Sequence, residues 1–227
     1  VPTLLCADSG STRLVVAVVR DGVVLAQAES TAHAAHGSSI LDLCEDVVAR
    51  AGLARGGVDA LAVARGPGSF TGLRTSVCTF KGLALGWGLP VVGVSTFAAL
   101  ARSGSSGPGA RVGCCLDARK GELYAALVAI DNHVDNDREV VPAWAARPDE
   151  VAARFREAGV TAWAGDGPGL FPRVLAGAEV AWPHAVPDMG ALARCALARL
   201  PGGDDVALLE PRYVRRSYVD AGPPRAG

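Results

Sequence analysis

The stretch Gly66-Pro67-Gly68-Ser69-Phe70-Thr71-Gly72-Leu73-Arg74 decides how the rest of the chain is read. Before it, Leu61-Ala62-Val63-Ala64 is a short apolar run of the kind that forms a buried strand. After it, Thr75 to Trp87 carries apolar residues at helical spacing. Three glycines and a proline at a strand-to-helix junction hold the backbone in a tight turn. Ser69 and Thr71 are both good N-caps, so the helix begins within this loop. Such a junction aims backbone N–H groups and the positive helix end at one spot, which suits an anion. The same features also serve to pack a helix closely on a sheet with no ligand, and the glycines alone do not choose.

Outward from this loop the first hundred residues read β-β-β-α-β-α-β-α. Thr3 to Ala7, Leu14 to Val19 and Val23 to Gln27 are strands, and Asp21-Gly22 marks a hairpin between the last two. Ser38 or Ser39 caps a helix with Ile40, Leu43, Cys44, Val47 and Ala51 on one face, ended by Gly52. Val91 to Val94 is a strand, and a helix runs from Ser95 to near Arg102. Three antiparallel strands, then alternating helices and parallel strands, make a mixed sheet covered by helices. Ser103 to Gly109, rich in Gly, Ser and Pro, is the best boundary, dividing the chain into 1–102, 103–220 and a loose tail from 221 to 227. Beyond it, Val112 to Leu116 and Glu122 to Ile130 pair as strands, and Asp131 to Arg138 is polar and turn-like. Asp149 to Ala158 is helical, Val160 to Ala164 is a strand, and Gly165-Asp166-Gly167-Pro168-Gly169 is a second glycine-rich junction. Leu170 to Leu175 and Met189 to Leu200 read as helices.

Half of the 227 residues are hydrophobic and a fifth are charged, enough for a real core. A formal net charge of −1 gives no support to nucleic-acid capture by a strong basic face. The uncharged stretch from Gly82 is broken by glycines and by Pro90, so it reads as a buried helix and strand rather than a membrane span. Six cysteines at 6, 44, 78, 114, 115 and 195 form no CxxC, and His33 and His36 have no metal-ligand company nearby. The expected compartment is reducing cytoplasm, with no signal peptide evident.

Asp8 with Ser9, the loop at 66–74 and the turn Gly165-Asp166-Gly167 all fall at strand ends, where open α/β sheets bind ligands. They fit a nucleotide cleft between lobes, with Asp8 near a metal-bridged phosphate, or they simply join each strand to its next element. Asp117, Arg119 and Glu122 read as solvated hairpin charges or an ion pair. GxSxG, HExxH and GxxxxGK[ST] motifs are missing, so there are clefts without a complete catalytic set.

The nine-residue loop, Lys81-Gly82-Leu83-Ala84 and Pro90-Val91-Val92-Gly93-Val94-Ser95-Thr96 closely resemble the TsaB family, also called YeaZ. The likeness continues in Asp117-Ala118-Arg119, Gly121-Glu122 with Tyr124, Gly165-Asp166-Gly167, and Glu210-Pro211 with Tyr213, Arg215 and Arg216. The resemblance implies a two-lobed α/β fold of the actin, Hsp70 and sugar-kinase (RNase H-like) type, with mixed sheets flanked by helices. It implies a scaffold, not an enzyme, in making threonylcarbamoyladenosine at position 37 of tRNA. In that system TsaB pairs with its catalytic paralogue TsaD, the ATPase TsaE joins them, and TsaC supplies threonylcarbamoyl-adenylate. TsaB forms a homodimer when alone and meets tRNA only through the complex, with no membrane partner.

TsaD-type proteins carry an HxxxH metal motif on the helix after their glycine loop and helix. Thr96 and Leu100 stand at those positions here, and a hydroxyl and an alkyl group cannot replace two imidazoles. That speaks against transferase or metalloprotease activity and for a protein needing neither metal nor cofactor. Asp8-Ser9-Gly10-Ser11 departs from the family's usual Asp-Thr-Ser/Ala-Thr toward true nucleotide binders, which keeps an ATP-binding phosphotransferase, or ATP or ADP at a subunit junction, as the alternative. Asp8, Ser9, Gly165, Asp166 and Gly167 would then be the nucleotide contacts. The family's dimer surface implicates the helix at 71–87, with Thr71, Leu73, Arg74, Val77, Cys78, Lys81 and Leu85 as interface residues, and the helix at 39–51. Arg212, Arg215 and Arg216 form a small basic cluster, solvated or set to meet a phosphate.

Overall fold

Six consecutive buried residues form β1 (Thr3–Asp8), and the N-terminal half is built against them. The computed structural model describes residues 1–31, 40–104, 106–134, 137–200 and 202–214. His33, His36, the Ser38 and Ser39 caps, Arg215, Arg216 and the 221–227 tail lie outside the described residues. Strands β2 (Arg13–Arg20) and β3 (Val23–Thr31) pair antiparallel beside β1. Asp21 and Gly22, both at positive φ, make the hairpin turn. On the other side of β1, β4 (Ala60–Ala64) and β5 (Val91–Val94) add in parallel, giving the order β3-β2-β1-β4-β5. Helices α1 (Ile40–Arg50) and α2 (Phe70–Trp87) cover one face, with Val47, Val77 and Phe80 in the same core as Leu5, Val16 and Leu61.

The second half repeats this plan. Strands β6 (Arg111–Asp117), β7 (Leu123–Ala129) and β8 (Arg138–Ala146) are antiparallel neighbours. After α4 (Pro148–Glu157), β9 (Ala162–Ala164) and β10 (Glu179–Trp182) add parallel to β6, in the order β10-β9-β6-β7-β8. Each sheet is thus an antiparallel three-strand meander extended by two parallel strands, and each half carries a glycine-rich turn after its fourth strand.

The helices α3 (Thr96–Ala101) and α6 (Met189–Leu197) lie between the sheets. Phe97 and Leu100 of α3 pack on β6 and β7, whereas Leu192 and Ala196 of α6 pack back on β1, β4 and β5. Packing therefore crosses the 103–109 linker, and Leu209 also joins the core of the first sheet.

The second half holds two strands that the sequence pattern does not announce and one helix whose reading is corrected. The stretch after the polar turn is a nine-residue strand, β8, disguised by Pro142. That proline cannot donate to a ladder and is tolerated because β8 is an edge strand with an irregular register. Strand β10 is a short, half-exposed edge that no apolar run announces. The helix expected at 170–175 is instead α5 (Gly167–Leu170); Pro172 pushes Phe171 out of the helical region, to φ −129 and ψ 55. Among the described residues no helix is long and apolar enough to cross a membrane.

Candidate functional site

A cleft of about 640 Å³ opens between the halves, lined by Gly10 to Thr12, Gly68 to Phe70, Asp117, Arg119, Tyr124 and Asp166. The strand ends singled out in the sequence do converge here. They differ in access.

Asp8 lies at the end of β1 with no exposed surface. Its Oδ1 accepts the Gly10 N–H at 2.6 Å, while Oδ2 is shielded and unpartnered. Burial pushes its carboxyl up to about 6, against the opposing pull of the Gly10 hydrogen bond. The glycine loop is what covers it. The Ser69 N–H donates to Gly10 O at 2.6 Å. Ser9 Oγ sits 2.7 Å from both Gly72 O and Ser76 Oγ. A Cβ on Gly68 would collide with Gly10 O, and one on Gly72 with Ser9 O, so these glycines let two backbones touch. Ser69 caps α2 by accepting the Gly72 N–H at 3.3 Å. A phosphate reaching Asp8 or Ser9 would first have to lift this loop.

Asp117, the last residue of β6, faces the cleft more openly. It pairs with Arg119 at 3.0 Å and accepts the Arg119 N–H at 2.7 Å. Asp166 Oδ1 accepts the Asp117 N–H at 3.0 Å; burial is the main influence raising the Asp166 carboxyl, and the Asp117 charge adds to it. Gly165, at φ 101, and Gly167 crowd onto Cys115 and set the turn rather than line the cleft.

The outer face of α2 is the second candidate surface. Thr71, Arg74, Cys78 and Leu85 are exposed along it, Leu85 at 74%. Gly82 and Gly86 on the same stripe have open space where a Cβ would stand. Leu73 and Val77, expected at an interface, instead face the sheet and are buried, because the helix spends its i, i+4 apolar row on the core. Lys81 is committed too: its Nζ donates to the carbonyls of Ala207 and Leu209 at 3.2 and 3.0 Å. Beside α2, α1 exposes Leu41, and a groove between the two helices runs past Cys44, Val48 and Trp87.

A C-terminal strap, residues 204–213, is a feature that sequence reasoning missed. Tyr213 stacks on Phe70 with ring centroids 4.8 Å apart, and Arg74 lies over the Phe70 ring at 5.1 Å. Arg212 grips Glu139 of β8 through two hydrogen bonds, one of 2.7 Å, and its N–H donates to Arg65 O at 2.6 Å. The basic residue at 212 is therefore a structural fastener, not part of a solvated cluster. Thr96 and Leu100 are both buried where α3 meets the second sheet.

A family model described as TsaD, tRNA N6-adenosine threonylcarbamoyltransferase, matches residues 23–152. The tRNA threonylcarbamoyladenosine biosynthesis protein TsaB of Escherichia coli is 32% identical over 208 residues, covering 89% of this chain and 83% of the relative. YeaZ from Pseudomonas aeruginosa superposes with a TM-score of 0.76 at 28% identity, covering 94% of this chain and 100% of that one. The activator of 2-hydroxyisocaproyl-CoA dehydratase from Clostridium difficile, solved with bound ADPNP, shares the fold at 11% identity and a TM-score of 0.51, over 87% of this chain and 96% of that one. The duplicated sheets are thus those of the actin-like ATPase fold, and the chain belongs to the TsaB (YeaZ) family of tRNA threonylcarbamoyladenosine biosynthesis proteins, relatives of TsaD.

Proposed function

We propose that this protein is a non-catalytic scaffold subunit that binds and supports a TsaD transferase, together with the TsaE ATPase, in modifying position 37 of tRNA. The observation that carries this reading is the outer face of α2. An 18-residue helix with a fully committed inner face still presents exposed Leu85 and Cys78 beside two uncovered glycines. Small residues in such a stripe admit a second helix at close range. Exposed Leu41 on α1 extends the apolar surface.

Two further features support a scaffold over a phosphotransferase. The carboxylate best placed for a metal-bridged phosphate, Asp8, is sealed under the glycine loop. Thr96 and Leu100 bring a hydroxyl and an alkyl group to the positions of the TsaD HxxxH histidines. On this reading the protein forms a homodimer alone and exchanges it for a heterodimer with TsaD, needs no cofactor of its own and works in the cytoplasm. It meets tRNA through the complex.

The test mixes purified protein with TsaD from the same organism and follows mass by size-exclusion light scattering. A mixed dimer should replace the homodimer. Leu85→Glu or Gly82→Arg should weaken both by at least tenfold, since each puts a charge or bulk into the contact. Absence of any association, together with ATP turnover by the isolated protein, would overturn the scaffold in favour of the phosphotransferase.

A further inference from the structure

Two consecutive residues of the C-terminal strap hold both ends of the first glycine loop. The Arg212 N–H donates to the carbonyl of Arg65, the residue before Gly66, at 2.6 Å. Tyr213 stacks on Phe70, the first residue of α2, with centroids 4.8 Å apart. Between these points a Cβ on Gly66 would stand 2.7 Å from Arg212 O, so the two backbones touch. The root of the strap is fixed separately. Asp204 ties it to β5, donating its N–H to Val91 O at 2.9 Å and accepting the Gly93 N–H at 2.7 Å. Lys81 holds its middle, and Leu209 is buried in the first core. The tip is held more lightly, and Tyr213 is 45% exposed.

What the loop covers makes its closure costly. Asp8 has no exposed surface, and its Oδ2 has no hydrogen-bond partner among the described residues. The shut loop therefore keeps a carboxylate oxygen from water without a replacement. The loop's own hold on that strand end is short: the Ser69 N–H on Gly10 O, and Ser9 Oγ with Gly72 O and Ser76 Oγ. The contacts at Arg65 and Phe70 add to this hold. Arg212 is in turn gripped from the second half, by both carboxylate oxygens of Glu139 on β8. Their side chains are 33% and 22% exposed, so solvent screens the pair only in part. The element that holds the loop is thus itself held by the other half.

We propose that Arg212 and Tyr213 form a latch that keeps the glycine loop shut over Asp8, and that the Arg212–Glu139 pair places this latch under the control of the second half. Movement of β8 away from the first sheet strips Arg212 of its carboxylate and loosens the strap at Arg65 and Phe70. The loop then lifts from Asp8 and Ser9. Phe70 lines the cleft between the halves, so the freed strand end opens toward that space. The latch works within one chain and requires no partner on α2.

The experiment measures amide hydrogen exchange of the full chain by NMR. It follows the Ser69 and Gly10 N–H groups, which donate to Gly10 O and Asp8 Oδ1. Tyr213→Ala should speed both by about three- to tenfold, the worth of one ring stack. Glu139→Gln should speed both by about tenfold, since the charge leaves but the shape stays. Tyr213→Phe, which keeps the ring, should exchange like the unaltered protein. The Asp117 N–H, bonded to Asp166 Oδ1 in the second-half turn, and the amides of β2 should keep their rates throughout. Unchanged exchange at Ser69 and Gly10 in Tyr213→Ala would overturn the latch, and in Glu139→Gln its control by the second half. Equal acceleration at Ser69, Gly10, Asp117 and β2 would also overturn it, by showing that the strap adds only to overall stability.

Discussion

The two sheets of this protein share one topology yet treat their strand ends in opposite ways. β1 and β6 each end in aspartate, Asp8 and Asp117, and β4 and β9 each lead into a glycine-rich turn. In the first half the turn folds down onto the aspartate and launches the 18-residue α2. In the second it leads into the four-residue α5, and the aspartate stays at the cleft beside Arg119. One architecture thus gives a sealed carboxylate with an outward-facing helix, and an open carboxylate with no long helix after its turn. The difference resides in the turn. Both turns press glycines onto a strand end, but Gly68 and Gly72 of the first meet Ser9 and Gly10, just beyond Asp8, whereas Gly165 and Gly167 of the second meet Cys115, two residues before Asp117.

The sharpest way to break this contrast is to add a methyl group to each turn. Gly72→Ala drives a Cβ into Ser9 O and should cost about 3 kcal/mol or more in chemical denaturation. Gly169→Ala meets open space and should stay within about 0.5 kcal/mol. An equal cost at Gly169 would show that the space beside it is not open.

The aspartates give the next largest effect, and it depends on pH. The Asp8 carboxyl is raised in the folded protein from the usual 3.8 to about 6. The folded state therefore holds the proton more tightly, and stability falls as pH rises through that window. Asp8→Asn removes the buried charge, worth about 3 kcal/mol, but leaves an unbonded amide costing about 1 kcal/mol. A gain of about 2 kcal/mol is expected above pH ~7, turning into a loss of about 1 kcal/mol below pH ~4. Asp117→Asn, the matched change in the second half, should cost under about 1 kcal/mol because its ion pair is largely solvated. If Asp8→Asn destabilises at neutral pH, the carboxylate has a partner that seals it favourably.

A smaller effect concerns what fastens the halves together. Arg212→Ala should cost about 1–2 kcal/mol through loss of the charged hydrogen bonds to Glu139. A double-mutant cycle with Glu139→Gln should recover most of that as coupling energy. Smallest of all, Leu85→Glu should move the thermal midpoint hardly at all, since the residue is 74% exposed, even where it abolishes assembly. A large loss of stability would mean that α2 leans on that residue within the monomer.

Much of this was readable from local pattern. The hairpin at Asp21-Gly22, the junction at 66–72 and the capped helix after it arise from turn chemistry and periodicity over neighbouring residues. β8 and β10 escaped because edge strands carry prolines and polar residues that only their position in a sheet excuses. Leu73 and Val77 were legible as apolar but not as inward-facing, since periodicity marks a face without saying what covers it.

By itself, then, the sequence determined the element order of the first half, the family, and the replacement of two imidazoles by Thr96 and Leu100. All of these depend on residue identity and short spacing. The tertiary structure alone decided that Asp8 is sealed and Asp117 open, that α3 and α6 lie between the two sheets, and that Arg212 reaches across to Glu139. These rest on contacts between residues tens to more than a hundred positions apart, whose burial and pairing exist only once the two sheets have closed on each other.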